Sequence, residues 1–248
     1  MVIPKIIHYC WFGQNDKPQD VQAYIDGWQR MLPDYQIIEW NEDNFDIHIN
    51  PYVEQAYQAK KFAFVSDYAR LLALYTQGGI YLDTDVEVLK PFDDLLDNDV
   101  VLGFEEKGYV ATSTICARKN SLLINAFMSL YHHKHFIQPN GQYDLTTNVT
   151  KMTTLLQSYG LVLNEQPQQL TIDDKETVTI LAQVKFSPYD YLNQINYADD
   201  STYTIHHFGA TWAGPQFKYI KVIKSAVIKL LGSKNYQKLY RFITRSKT

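Results

Sequence analysis

The chain has little cysteine: Cys10 and Cys116 are the only two in 248 residues. Two thiols so far apart form no metal knuckle and no disulfide framework, which excludes small stapled folds and cysteine-ligated zinc modules. A long apolar run is also missing. The opening MVIPKIIHYCWFG has neither an extended apolar region nor a small-residue cleavage site, so no secretory signal and no transmembrane helix are expected. Reduced cysteines and that opening together fit a cytoplasmic protein. Repeats and low-complexity stretches are absent, and 14% aromatic content excludes a disordered chain. Acid is missing from one end. No Asp or Glu follows Asp200, whereas nine Lys and Arg do, so a net charge of −4 divides into −13 up to that point and +9 beyond it. Such polarity usually reports a partner of opposite sign.

What is present reads as strands alternating with helices. Strands are expected at 5–12, 36–40, 80–89, 100–105, 109–117, 178–186 and 203–208, and helices at 21–32, 63–77 and 120–133. Gly78–Gly79 ends the helix at 63–77, as glycine does at a C-terminal cap. The alternation over the first hundred residues points to an α/β sheet with parallel strands. Ligands of such sheets sit beyond the carboxyl ends of strands. Trp11–Phe12, Asp83–Asp85 and Glu105 occupy such ends.

The stretch GGIYLDTDVEVLKPF (78–92) spaces Asp83, Asp85 and Glu87 by two. A continuous strand would put all three carboxylates on one face, where they repel unless a cation offsets them. Oxygen ligands at this spacing suit Mg²⁺ or Mn²⁺, which take one or two carboxylates plus phosphate oxygens. On the preceding helix, Asp67 and Arg70 are three apart and share a face. Arg70 can clamp an anionic or hydroxylated ligand in two-pronged fashion, and Asp67 can accept from hydroxyls. Alternation lets only one of His206 and His207 point inward. His206 is chosen, as a third metal ligand or a diphosphate contact.

The combination Ser66-Asp67-x-x-Arg70 followed by Gly78-Gly79-x-Tyr81-x-Asp83-x-Asp85-Val86 resembles the signature of family 32 glycosyltransferases. That family includes capsular polysaccharide enzymes and fungal initiating mannosyltransferases, and is related to the large glucosylating toxins. Its first strand is similar to Ile3–Gly13, and its late His…Ser-Trp segment to His206–Trp212. The resemblance implies a GT-A-like, Rossmann-type mixed sheet with flanking helices. It also implies transfer of a sugar from a nucleotide-diphosphate donor, UDP-sugar favoured, with retained configuration and Mn²⁺ (or Mg²⁺) as cofactor.

By that resemblance Trp11 stacks on the base, helped by Phe12, and Asp67 and Arg70 hold the donor sugar. Tyr81 touches the donor; Asp83 meets ribose, sugar or a metal-bound water; Asp85 ligates the metal; Trp212 closes over the diphosphate. Glu105 is assigned to the acceptor. Thr211 stands where the family commonly has Ser, and 142–153 lacks the Gly-Pro often seen before a family Thr.

Residues 1–215 are read as the catalytic domain and 216–248 as a basic amphipathic helical tail. In 218–231 lysines line one face and Ile, Val and Leu the other, as in helices that lie on anionic membranes. No nucleic-acid-reading motif accompanies the charge. The expectation is peripheral attachment to the inner face of the cell membrane and a saccharide or lipid-linked glycan acceptor. Two other classes stay open: a haloacid-dehalogenase-like phosphatase, with Asp173–Asp174 as its second acidic pair, and a non-catalytic nucleotide-sugar-binding protein.

Overall fold

Every residue of the strand GIYL and of its neighbours TICA and VVLG is buried, so these segments can be only the middle of a sheet covered on both faces. The computed structural model describes residues 2–190 and 195–209. Its elements run β1 (Ile6–Cys10), α1 (Gln19–Met31), β2 (Gln36–Trp40), α2 (Pro51–Gln58), α3 (Phe62–Gln77), β3 (Gly79–Leu82), β4 (Val86–Val88), β5 (Val100–Gly103) and β6 (Thr114–Ala117). There follow α4 (Leu122–Ser129), α5 (Asn148–Ser158), β7 (Gln168–Ile172), β8 (Glu176–Leu181), α6 (Gln183–Phe186), β9 (Tyr189–Asp190), β10 (Ile195–Asn196) and β11 (Thr204–His206). Among the described residues no helix is long and apolar enough to cross a membrane.

Seven strands form one sheet in the order β2-β1-β3-β6-β5-β8-β7. Strand β1 pairs in parallel with β2 and β3, while β6 runs antiparallel to both β3 and β5. Strand β5 is parallel to β8, and β7 is antiparallel to it. The sheet is therefore mixed, not all-parallel, with flanking helices as expected. Helices α2 to α5 cover one face through Tyr52, Val65, Leu71, Phe127 and Leu156. The other face is sealed by α1 and the β4–β11 pair, around Trp28, Val86, Phe92 and Phe186. The indole N–H of Trp28 donates to the Val86 carbonyl at 2.8 Å, which pins α1 over β4.

Two glycines make the α3-to-β3 corner possible. Gly78 and Gly79 have φ of 70° and 115°. A Cβ on Gly78 would lie 2.6 Å from the Lys119 nitrogen, and one on Gly79 would lie 2.6 Å from the Ile6 carbonyl oxygen. Only a residue without a side chain lets α3 turn directly into a strand wedged between β1 and β6. The Gly78 carbonyl is met by His8 Nε2 at 2.8 Å, while Trp40 Nε1 donates to His8 Nδ1 at 3.1 Å. His8 is thus a neutral Nε2–H tautomer, consistent with burial lowering its pKa.

The segment 80–89 is not one strand. Val86 N–H donates back to the Asp83 carbonyl at 3.0 Å, so Asp83-Thr84-Asp85 is a turn between β3, in the main sheet, and β4, which among the described residues pairs only with β11. Glu87 consequently leaves the expected carboxylate row and contacts His207 Nε2 at 2.9 Å. The apolar run at 178–186 also divides, because Ala182 starts the short helix α6. The tail at 216–248 lies outside the described residues, as does Trp212.

Candidate active site

Strand direction gathers the site. The carboxyl ends of β1, β3 and β5 and the amino end of β6 share one edge of the sheet. That edge carries Trp11, Asp83, Glu105 and the Thr112–Ser113 segment. Asp173–Asp174, the second acidic pair a phosphatase would use, forms the β7–β8 turn at the opposite end of the strands. The phosphatase arrangement is not assembled.

Arg70 is the hub. Its guanidinium is buried, with the residue 4% exposed, and Nη1 lies 3.1 Å from Asp83 Oδ1 while donating to the Thr112 carbonyl at 2.7 Å. Nη2 meets Asp67 Oδ1 at 3.3 Å and Nε donates to the Ser66 carbonyl at 3.2 Å. The guanidinium carbon lies 4.4 Å from the centre of the Tyr81 ring, and the Tyr81 hydroxyl donates to Asp83 Oδ1 at 2.9 Å. Burial alone would lower the Arg70 pKa, but Asp83, Tyr81 and Asp67 raise it, so the group stays charged. The expected ligand clamp is therefore spent on the protein's own oxygens. Arg70 and Tyr81 aim Asp83, and the sequence-level role of Arg70 as a free two-pronged anion binder is replaced by that of an anchor.

Asp67, on the same helix face, is buried and pushed up to about 6 by desolvation, against the pull of Arg70 and Lys151. Among the described residues only its Oδ1 is engaged.

Asp85 and His206 meet across the β3–β4 turn. His206 Nε2 lies 3.4 Å from Asp85 Oδ1, and Asp85 Oδ2 accepts from Gly209 N–H at 2.7 Å. The Asp85 carbonyl accepts from His207 N–H at 3.0 Å. Burial would raise the Asp85 pKa, yet His206 and the Gly209 amide hold it at about 2. Burial would lower that of His206, yet Asp85 pushes it up to about 8. One ligand atom each from Asp83, Asp85 and His206 lie within 4.8 Å of one another. His206 Nδ1 is buried with no hydrogen-bond partner among the described residues. Two carboxylates, an imidazole and an unspent ring nitrogen fit a divalent cation of the Mn²⁺ or Mg²⁺ type. His207 takes the other face, stacked on Tyr24 at 5.2 Å.

The remaining candidates separate. Trp11 is half-buried at the end of β1, its indole N–H fixed by the Asn15 carbonyl at 2.7 Å. Phe12 points the other way, into the core against Phe45 at 5.4 Å, because neighbours in an extended segment face opposite sides. It does not join the site. Glu105 feels the charges of His206 and Asp83, and burial raises its pKa. Gly209, three residues after His206 in an H-x-x-G spacing, supplies the amide that steadies Asp85.

Residues 18–102 match the family described as glycosyltransferase sugar-binding region containing DXD motif. The chain is 39% identical over 82 residues to Glucan organizing enzyme 1 of Cryptococcus neoformans var. grubii, covering 29% of this chain and 22% of that protein. It is 28% identical over 149 residues to Inositol phosphoceramide mannosyltransferase 1 of Schizosaccharomyces pombe, covering 54% and 45%. The chain spans less than half the length of these curated relatives. The solved PaToxG Glycosyltransferase superposes with a TM-score of 0.50 at 20% identity, over 63% of this chain and 69% of that one, a likeness of fold. The matched region contains Asp67, Arg70, Asp83 and Asp85.

Proposed function

We propose that this chain is a metal-dependent, retaining glycosyltransferase. It moves a sugar from a nucleotide-diphosphate donor, UDP-sugar favoured, to a saccharide acceptor in cell-surface glycan synthesis, capsule or exopolysaccharide included. The observation that carries this reading is the convergence of Asp83, Asp85 and His206 within 4.8 Å at the strand ends where α/β sheets bind ligands. The DXD family match over the same residues supports it. One curated relative's name specifies mannose and an inositol phosphoceramide. That keeps a lipid-linked acceptor in the proposal and puts GDP-mannose beside UDP-sugars as a donor to test. The basic segment 216–248 is assigned to an anionic membrane surface at the cytoplasmic leaflet, where such an acceptor would lie.

Asp85, His206 and Asp83 would hold a divalent cation, which would supply positive charge to a departing diphosphate. The chain's own residues fix that geometry beforehand. Arg70 and Tyr81 hold Asp83, and the Gly209 amide holds Asp85, so little reorganisation is left for the moment of reaction. Trp11 offers a base-stacking face at the same edge of the sheet, a contact worth about 1–3 kcal/mol. Asp67 accepts from sugar hydroxyls when ionised. Retention is assigned to attack and departure on one face of the sugar; Glu105 is reserved for acceptor contact.

A panel of UDP- and GDP-sugars with Mn²⁺, read as nucleotide release with and without saccharide acceptors, tests the reading. Acceptor-stimulated release from one donor is expected. Tight donor binding without any release would favour the non-catalytic binding protein instead. The buried Asp67 adds a pH signature. Its folded pKa of about 6 means that its acceptor role is lost as pH falls through that value. The kcat/KM profile should bend downward below about pH 6, and Asp67→Asn should remove the bend together with most of the activity.

A further inference from the structure

Trp11 lies where sheet pairing gives out. Its N–H donates to the Trp40 carbonyl at 2.9 Å, at the end of the β1–β2 ladder. Past that point the chain turns sharply. Gly13 and Gln14 have φ of 98° and 55°, a left-handed region that residues with a side chain rarely occupy. The Trp11 indole is fastened to this turn, since its Nε1 donates to the Asn15 carbonyl at 2.7 Å. The direction of the ring face therefore follows the position of residues 13–15.

Glu42 holds that turn in place. Its Oε1 accepts from the Gly13 N–H at 2.7 Å and from the Tyr57 hydroxyl at 2.9 Å. Hydrogen bonds to a carboxylate are shorter and stronger than those between neutral groups. One half-buried side chain thus joins the β1–α1 turn, the β2–α2 connection and helix α2. Phe62, the first residue of α3, closes in on the same glycine. A Cβ on Gly13 would lie 2.4 Å from the Phe62 ring, and the Tyr57 ring packs against Phe62 at 5.6 Å. The core at this corner is already filled by Phe12 against Phe45, so the carboxylate sets the shape of the turn rather than burying apolar surface.

We propose that Glu42 is a positioning residue for Trp11: with Tyr57 it fixes the 13–15 turn so that the indole face stands ready for the nucleotide base. This rests on the glycosyltransferase reading above, in which Trp11 stacks on the base. Glu42 acts through the tryptophan and not on the donor itself. A ring already held in its binding position loses less freedom when the base arrives, and affinity rises accordingly.

The test is calorimetry with Mn²⁺, using UDP and GDP as ligands, on the parent, Glu42→Ala, Trp11→Ala and the double variant. Glu42→Ala is expected to weaken nucleotide binding about tenfold, inside the range that loss of one base-stacking contact spans. In the Trp11→Ala background the same change is expected to matter less than about twofold, because the ring it positions is gone. Glu42→Gln keeps an oxygen for Gly13 and Tyr57 and is expected to bind within about threefold of the parent. Affinity for Mn²⁺ alone should be the same in every variant, a readout that general loosening of the site would move. Nucleotide binding by Glu42→Ala within about twofold of the parent overturns the proposal. So does a loss of the same size with and without Trp11, or a Glu42→Gln variant as weak as Glu42→Ala. Nucleotide binding that Trp11→Ala leaves unchanged overturns it while the glycosyltransferase reading stands. A parent that binds neither nucleotide rejects both. If Glu42→Ala does not melt cooperatively, Tyr57→Phe takes its place, with a loss of about threefold expected only where Trp11 is present. Equal losses in the two backgrounds overturn the proposal there as well.

Discussion

Asp85→Asn is expected to reduce metal-dependent turnover about a thousandfold while the protein stays folded. The asparagine keeps an oxygen for the Gly209 amide, which Asp85 now holds at 2.7 Å, so the 206–209 segment remains anchored. What disappears is the negative charge. In the parent that charge lies 3.4 Å from His206 and belongs to the three-residue donor set. A thousandfold loss corresponds to roughly 4 kcal/mol of transition-state stabilisation, the scale on which a bound cation acts at a departing phosphate. Asp85→Ala is the poorer variant, because it also frees the Gly209 amide and mixes a structural loss into the catalytic one. Steady-state nucleotide release with Mn²⁺, together with thermal melting, separates the two. Turnover within tenfold of the parent would remove Asp85 from the reaction.

Arg70→Met is expected to cost both stability and activity. The methionine fills similar space but takes the guanidinium from Asp67 and Asp83, leaving Asp83 only the Tyr81 hydroxyl, and leaves the Thr112 carbonyl without its 2.7 Å donor. Removing one partner of a buried ion pair costs about 3–5 kcal/mol. In a domain of this size that lowers Tm by roughly 10 °C. Arg70→Lys restores the charge without the planar fork that reaches Asp67, Asp83, Ser66 and Thr112 together, so it should recover only part of either loss. A melting temperature for Arg70→Met within about 2 °C of the parent would contradict the anchoring role, since nothing exposed could replace those contacts.

The parts of the site written in local spacing were legible, and those made by packing were not. Asp67 and Arg70 share a face because helical geometry says so, and the paired glycines announce the corner that brings α3 onto β3. Strand alternation alone separates His206 from His207. The break after Leu82 left no trace, because the apolar positions Ile80, Leu82, Val86 and Val88 keep the same phase across the turn. One continuous strand and two strands joined at Asp83 give the same pattern.

The same limit explains Arg70. Its spacing from Asp67 is local, but its saturation by Asp83 and Thr112 depends on how α3 packs on the sheet. At 142–153 the chain departs from the family pattern, although Thr147 caps α5 as a threonine should. Helix α2 carries its own start signal, Asn50 as cap before Pro51.

The most direct test of the cation site is anomalous diffraction from crystals grown with Mn²⁺ and UDP. A single manganese peak within coordination distance of Asp85 and His206, beside the diphosphate oxygens, is the predicted result. A diphosphate bound at the strand ends with no manganese between it and Asp85, or manganese bound away from all three donor residues, would contradict the account.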